Sequence, residues 1–156
     1  MNMGIRFEIE QILKLGLGPQ QEKWYRDYLE ALHEVEVVPL SEVMTDEELT
    51  LVRECLEIFP KQCYRNAHLL TLMFPKDCQY VEGKVMLDIG LSIDHAWNKF
   101  RGKYVDVTFE LALKVDVTKR QYAAVGEWDL VTIHDVASET GLYGKIYREL
   151  YIKKNC

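Results

Sequence analysis

This sequence lacks several features that would have directed its reading elsewhere. Its four cysteines, at positions 55, 63, 78 and 156, include no Cys-x-x-Cys spacing, so a zinc knuckle or a thioredoxin-type redox pair has no support. No third thiol or imidazole is spaced to complete a metal site around Cys63 and His95, and protein metal sites take three or four ligands; neither a metal nor a cofactor is expected. Basic residues are outnumbered, 19 against 25 acidic, for a net charge of −6. With no basic stripe carrying interleaved aromatics, no nucleic-acid partner is expected. No apolar run approaches the roughly 18 residues of a membrane span, and the Met1–Glu8 stretch is too acidic and too short in apolar length for a signal peptide. The expectation is a cytoplasmic protein with no membrane partner and with free thiols rather than disulfides. There is also no internal repeat and no low-complexity segment.

What is present suits one core. A chain of 156 residues, 48% hydrophobic, is long enough for one sizeable interior and too short for two ordinary domains. We read a single domain, 1–156, in which a helical lead-in (1–60) packs on a reactive helix and sheet (61–156). Ile5, Ile9, Ile12 and Leu13 recur at helical spacing before Gly16-Leu-Gly-Pro19. Pro19 then opens a helix to about Glu34 with Trp24, Tyr25, Tyr28, Leu29 and Leu32 along one face. That stripe reads as a packing face, and His33 as a surface residue. Val35 to Leu40 reads as an extended connector. Thr45-Asp-Glu-Glu48 forms a capping box for a helix to about Phe59, with Leu49, Val52, Cys55, Leu56 and Phe59 inward, and Pro60 breaks the chain.

From residue 79 the period changes from about 3.6 to 2. Tyr80 to Leu87 reads as a strand, Leu91 to Asn98 as a second and Lys103 to Phe109 as a third. The turn at Arg101-Gly102 makes the last two a hairpin. Cys78 falls in the loop before the sheet and Cys156 at the terminus. Thr118 to Ala124 reads as a short helix or loop, Trp128 to Val136 as a further strand, and Leu142 to Tyr147 as the approach to an amphipathic end. Helices first and strands afterwards predict an α+β fold with an antiparallel sheet.

Reactive side chains concentrate in three successive elements. Cys63 lies in the first turn of a helix that starts after Pro60 and carries Leu69, Leu70 and Met73 at core spacing. Unpaired N–H groups and the positive end of the macrodipole there favour the thiolate, which is the nucleophilic form. A base and an orienting group are needed beside it. His95 and Asp106 supply them on neighbouring antiparallel strands, which sit about 4.8 Å apart. An Asp within Val105-Asp-Val107 is costly to bury without a partner, and His95 is the partner that would satisfy it.

Cys63-Tyr-Arg-Asn-Ala67, Tyr80-Val-Glu-Gly83, His95-Ala-Trp-Asn98 and Val105-Asp-Val-Thr108 together resemble the transglutaminase-like branch of the papain-like cysteine enzyme superfamily, in the form of small phage and bacterial proteins. The resemblance covers residues 60 to 110. It departs from papain proper, whose third member is Asn and whose Cys lies near the mature N-terminus, so peptide-bond cleavage is not the default reaction. It implies a papain-like, transglutaminase-like core and a Cys63-His95-Asp106 triad. The implied reaction is acyl transfer through a thioester at Cys63: amide hydrolysis, deamidation or transamidation of a protein or peptide amide substrate.

Around the triad, the backbone N–H of Cys63 is a candidate oxyanion donor, with the side chain of Gln62 or the hydroxyl of Tyr64 as a second. Asn66 either ties down a loop or caps a backbone group. Glu82 either orients substrate or pairs with Arg65 or Lys84. Trp97, on the strand face of His95, either shields the ion pair from water or packs the core. His68 and His134 are assigned no role. A rival reading from another class is a non-catalytic binding or inhibitory protein, phage-encoded and acting on a host protein, in which the Trp24/Tyr25/Tyr28 helix meets the partner.

Overall fold

The computed structural model describes residues 4–155; Cys156 lies outside the described residues. Two helices open the chain, α1 (Ile5–Leu13) and α2 (Pro19–Ala31), followed by a short strand β1 (His33–Val35). A further helix, α3 (Asp46–Cys55), precedes the helix that begins at Cys63, α4 (Cys63–Met73). Then come β2 (Cys78–Met86), β3 (Ser92–Phe100), β4 (Lys103–Val105) and β5 (Tyr122–Trp128), and finally α5 (Leu130–Thr140) and α6 (Ile146–Asn155). The fold is α+β, with N-terminal helices and one antiparallel five-stranded sheet in the order β1-β5-β2-β3-β4.

The sheet curls. Val37, two residues beyond one edge strand, bridges in parallel to Tyr104 on the opposite edge strand, and the Val38 N–H donates to the Tyr104 carbonyl at 2.8 Å. Trp97, Tyr122, Val81 and Val85 fill the interior of the curl with Phe109 and Val117. Against the other face, α4, α5 and α6 bury Ala67, Ile133, Val136 and Ile146 on Tyr80 and Ala96. The alternation of the strands thus sends neighbouring residues, Tyr80 and Val81 on β2 and Ala96 and Trp97 on β3, to opposite cores.

Local sequence accounts for most boundaries. Thr45 accepts from the Glu48 N–H at 3.1 Å while the Glu48 carboxylate accepts from the Thr45 N–H at 2.9 Å, so the capping box forms as the sequence specifies. Glu48 also takes both terminal nitrogens of Arg101, at 2.9 and 2.7 Å, which ties the start of α3 to the β3–β4 turn; these hydrogen bonds hold its carboxyl down to about 2. Thr45→Ala is expected to cost about 1 kcal/mol, the usual effect of losing an N-cap, read as a lower urea midpoint at unchanged slope. The Arg101-Gly102 hairpin forms with both residues at positive φ, pairing Phe100 with Lys103.

Several expectations are corrected. The α3 helix ends at Cys55, so the inward face is Leu49, Val52 and Leu56 alone; Cys55 is exposed and Phe59 is 47% exposed. Cys78 is no loop residue: it opens β2 and is buried, its thiol pushed up to about 12 by that burial. The lead-in is not wholly helical, because β1 joins the sheet edge by pairing with β5. Tyr122 to Ala124, read as helix or loop, begins β5, while Leu130 to Val136, read as strand, is helix α5. Asp129 caps that helix, accepting from the Thr132 N–H at 3.0 Å, and Gly141 terminates it. These start and stop signals outweigh the β-branched residues between them, of which Ile133 and Val136 face the core and Val131 faces out.

Candidate active site

Cys63 is the first residue of α4 and is half-buried. The N–H groups of a helix's first turn have no acceptor within the helix, and here the first intrahelical bond runs from the Asn66 N–H to the Gln62 carbonyl. The start of α4 is fixed by Asn66, which is wholly buried. Its side-chain nitrogen donates to the Phe59 carbonyl at 2.9 Å and to the Thr108 hydroxyl at 3.0 Å. A second buried asparagine, Asn98 of β3, donates to the Ala67 carbonyl at 2.9 Å and the Thr71 hydroxyl at 3.1 Å. The helix that begins at Cys63 is therefore pinned to the strand that carries His95.

His95 sits in mid-β3 opposite Gly83 of β2, 2% exposed. Its Nε2 is 2.7 Å from Oδ2 of Asp106. Asp106 is fully buried and does not lie on a strand. β4 ends at Val105, Val107 turns into helical conformation, and a π-helical turn follows over Thr108–Ala112. Asp106 caps that turn, accepting from the Phe109 N–H at 3.1 Å through Oδ1. One carboxylate oxygen holds the backbone and the other receives the ring. The expected strand over Lys103–Phe109 is cut short for this reason.

Tyr122, on β5, donates its hydroxyl to the same Oδ2 at 2.6 Å. Three aromatic rings pack around the His95 imidazole: Phe109 at 4.5 Å between centroids, Trp97 stacked at 6.0 Å and Tyr122 at 6.3 Å. Burial by itself would depress the imidazole's pKa. The charge and hydrogen bond of Asp106 overcome that, the nearby Cys63 sulfur adds in the same sense, and the ring is carried up to about 10. The ring is thus held protonated at neutral pH, between a buried carboxylate and a sulfur at a helix N-terminus.

Comparison of the chain with protein-family models, with curated proteins and with solved structures found no match.

The structure brings Cys63, His95 and Asp106 together and distributes the other candidates around them. Gln62 is exposed at the N-cap of α4, makes no capping bond with its side chain, and immediately precedes Cys63. Tyr64 packs its ring against Gly144, where a Cβ would fall 2.6 Å from a ring carbon, and burial raises its hydroxyl's pKa. Asn66 has committed its side-chain donors to Phe59 and Thr108, so it positions the helix. Glu82 pairs with neither Arg65 nor Lys84. It is buried and accepts from the N–H groups of Ile146 and Tyr147, both at 2.9 Å, and from the Tyr80 hydroxyl, so it caps α6. Trp97 is fully buried, serving as core and as one wall of the imidazole's cage. His68 is buried beside Tyr143 and 6.0 Å from His134 between ring centroids, away from the triad. Among the described residues no cluster of three metal-ligating side chains occurs, and no helix is long and apolar enough to cross a membrane.

A cavity of about 130 Å³ opens beside His95. Trp24 and Tyr28 of α2, Tyr64 of α4 and Tyr147 of α6 form its aromatic walls. The aromatic stripe of α2 is thus no free surface: Trp24 meets Tyr147 and Tyr151 edge-on at 5.4 and 4.9 Å. Sequence reasoning missed Tyr122, because β5 was not foreseen, and missed the cavity, because α6 supplies one side of it from more than 50 residues beyond His95. The pattern around Tyr122 carries no signal of its partner.

Proposed function

We propose that the protein is a cysteine-dependent acyl-transfer enzyme working through a Cys63-His95-Asp106 triad on a papain-like, transglutaminase-like core. The observation that carries this reading is the buried His95–Asp106 pair at 2.7 Å, with the thiol at the start of α4 on the same ring. An ion pair of this kind is costly to build in an interior and is weak evidence of a stability role; beside a sulfur at a helix start it has a chemical use.

In the proposed reaction the Cys63 proton already rests on His95, and the thiolate of this ion pair attacks the acyl carbon of an amide. The carbonyl oxygen takes the negative charge, and the first-turn N–H of Cys63, with the Gln62 side chain beside it, donates to that oxygen. The intermediate collapses, the C–N bond breaks, and the imidazolium gives its proton to the departing amine. The product is a thioester at Cys63. Water then gives hydrolysis or deamidation, and an amine gives transamidation, with His95 deprotonating the acceptor in either case. Asp106 fixes the ring's tautomer and balances the imidazolium, with Tyr122 and the Phe109 N–H holding the carboxylate in place.

The test is the rate of iodoacetamide alkylation at each cysteine against pH, read by peptide mass spectrometry. Cys63 is expected to react fast well below pH 8 and at least about tenfold more slowly there in His95→Ala, the general range for removing an activating base. Exposed Cys55 and buried Cys78 serve as internal references. A Cys63 no faster than Cys55, or indifferent to His95→Ala, would sink the catalytic reading and turn attention to a binding role.

A further inference from the structure

The cavity beside His95 is uneven in charge. Of its acidic lining groups, Asp94 is paired with Lys84 at 3.0 Å, and Glu82 is buried beneath the start of α6 with its oxygens committed to three donors. Burial also raises the pKa of Glu82, against the effect of those bonds. Besides His95, the basic lining groups are Lys145 and Arg148. Among the described residues Lys145 makes no ion pair, and Arg148 reaches only its chain neighbour Glu149, at 3.4 Å. Lys145 immediately precedes α6 with a left-handed backbone, φ 54, and Arg148 lies in the first turn of that helix; both line the cavity. Lys145 is fixed over the Tyr64 ring at 5.9 Å, one residue from Cys63 in the chain.

In a chain of net charge −6, a lysine without an ion pair and an arginine paired only with its chain neighbour, both lining an aromatic cavity, favour an anion. The volume of about 130 Å³ is close to the roughly 150 Å³ known to hold a benzene-sized group, enough for one short side chain and not for a folded surface. Resting on the acyl-transfer reading, we infer that the acyl donor carries a carboxylate next to the scissile amide. That carboxylate is received by Lys145 and Arg148, while the carbon chain between lies along Tyr64 and Tyr28. The carboxylate belongs either to a small free acid or to an acidic residue of a peptide.

Two alkylating agents that differ in charge test this on the intact chain. Iodoacetate and iodoacetamide both lose iodide to a thiolate, and only the first bears a carboxylate. The quantity to measure is the iodoacetate-to-iodoacetamide rate ratio at Cys63, divided by the same ratio at exposed Cys55. Lys145→Glu/Arg148→Glu is expected to lower this normalised ratio by about tenfold, the size of a change of sign at two short-range surface contacts. Raising the salt should lower it in the unmodified protein, which supplies a second reading if the double variant folds poorly. A ratio that stays within about twofold in the variant, and that salt does not move, overturns the inference.

Failure of the acyl-transfer reading looks different. It is an iodoacetamide rate that ignores His95→Ala, whatever the ratio does. Protection separates the two sources: free glutarate slowing alkylation of Cys63 marks a small acid, and an acetylated, amidated glutamyl peptide slowing it marks a peptide. Protection by the neutral glutaramide as strong as by glutarate counts against the inference.

Discussion

Asp106→Ala is expected to destabilise the protein by about 3–5 kcal/mol, the cost of stripping one partner from a buried ion pair. The carboxylate is fully buried and has three donors: the His95 ring at 2.7 Å, the Tyr122 hydroxyl at 2.6 Å and the Phe109 N–H at 3.1 Å. Alanine leaves all three facing a void. Asp106→Asn separates shape from charge, because its amide oxygen can still cap the Phe109 N–H. Its loss should be nearer the about 1.5–3 kcal/mol of hydrogen bonds made to a charged group. Urea unfolding measures both. In either variant Cys63 should lose its fast alkylation at neutral pH, since the imidazole loses what keeps it protonated.

The pH dependence has a definite sign. In the folded protein His95 titrates at about 10, above its ordinary 6.5. A raised folded value means that the protonated ring favours the folded state. This contribution is complete below pH 6.5 and is lost as the pH rises from there through 10. The stability gap between the unmodified protein and Asp106→Asn should therefore be widest near pH 6 and narrow steadily toward pH 10. A gap that is constant over that range would mean the pair is not ionised in the folded state.

What the sequence made legible was local. The capping box at Thr45, the helix start after Pro60, the period-2 run from Tyr80 and the Arg101-Gly102 hairpin each depend on residues within a few positions of one another, and each lies where the pattern put it. The hairpin in turn brings His95 near Asp106, since the two strands follow directly in the chain. What was hidden was long-range. Whether Tyr122 lies in a strand depends on β2 and β1 being there to pair with it. Leu130 to Val136 carries β-branched residues that suit a strand, and only its caps at Asp129 and Gly141 mark it as a helix. Glu82 looked available for substrate because nothing near it in sequence reveals that α6, more than 60 residues on, will set two N–H groups on its carboxylate. Asp106 was legible as a residue and not as a conformation: alternation placed it on a strand, and its bond to the Phe109 N–H ends that strand.

Gly83→Ala should be nearly as damaging as the loss of Asp106, through backbone rather than charge. Gly83 lies at the middle of β2, opposite His95 on one side and Ala124 on the other, where the β2–β5 register shifts between Glu82 and Gly83. A Cβ here would collide with the Ala123 carbonyl oxygen and lie 2.8 Å from Cα of Ala124. Both obstacles are main chain of β5, so no side chain can swing aside. The cost is expected at the top of the about 1–3 kcal/mol range for overpacking, or above it. Because β5 also carries Tyr122, pushing it outward draws the hydroxyl from Asp106. The variant should therefore lose fast Cys63 alkylation along with its urea midpoint. Gly90→Ala makes the comparison. That glycine has φ +84 and open space around it, so alanine there should cost only the about 1–2 kcal/mol of a left-handed backbone and leave Cys63 as reactive as before. Equal losses in the two variants would mean that the β2–β5 contact yields without strain, and that the position of Tyr122 does not depend on the missing side chain at residue 83.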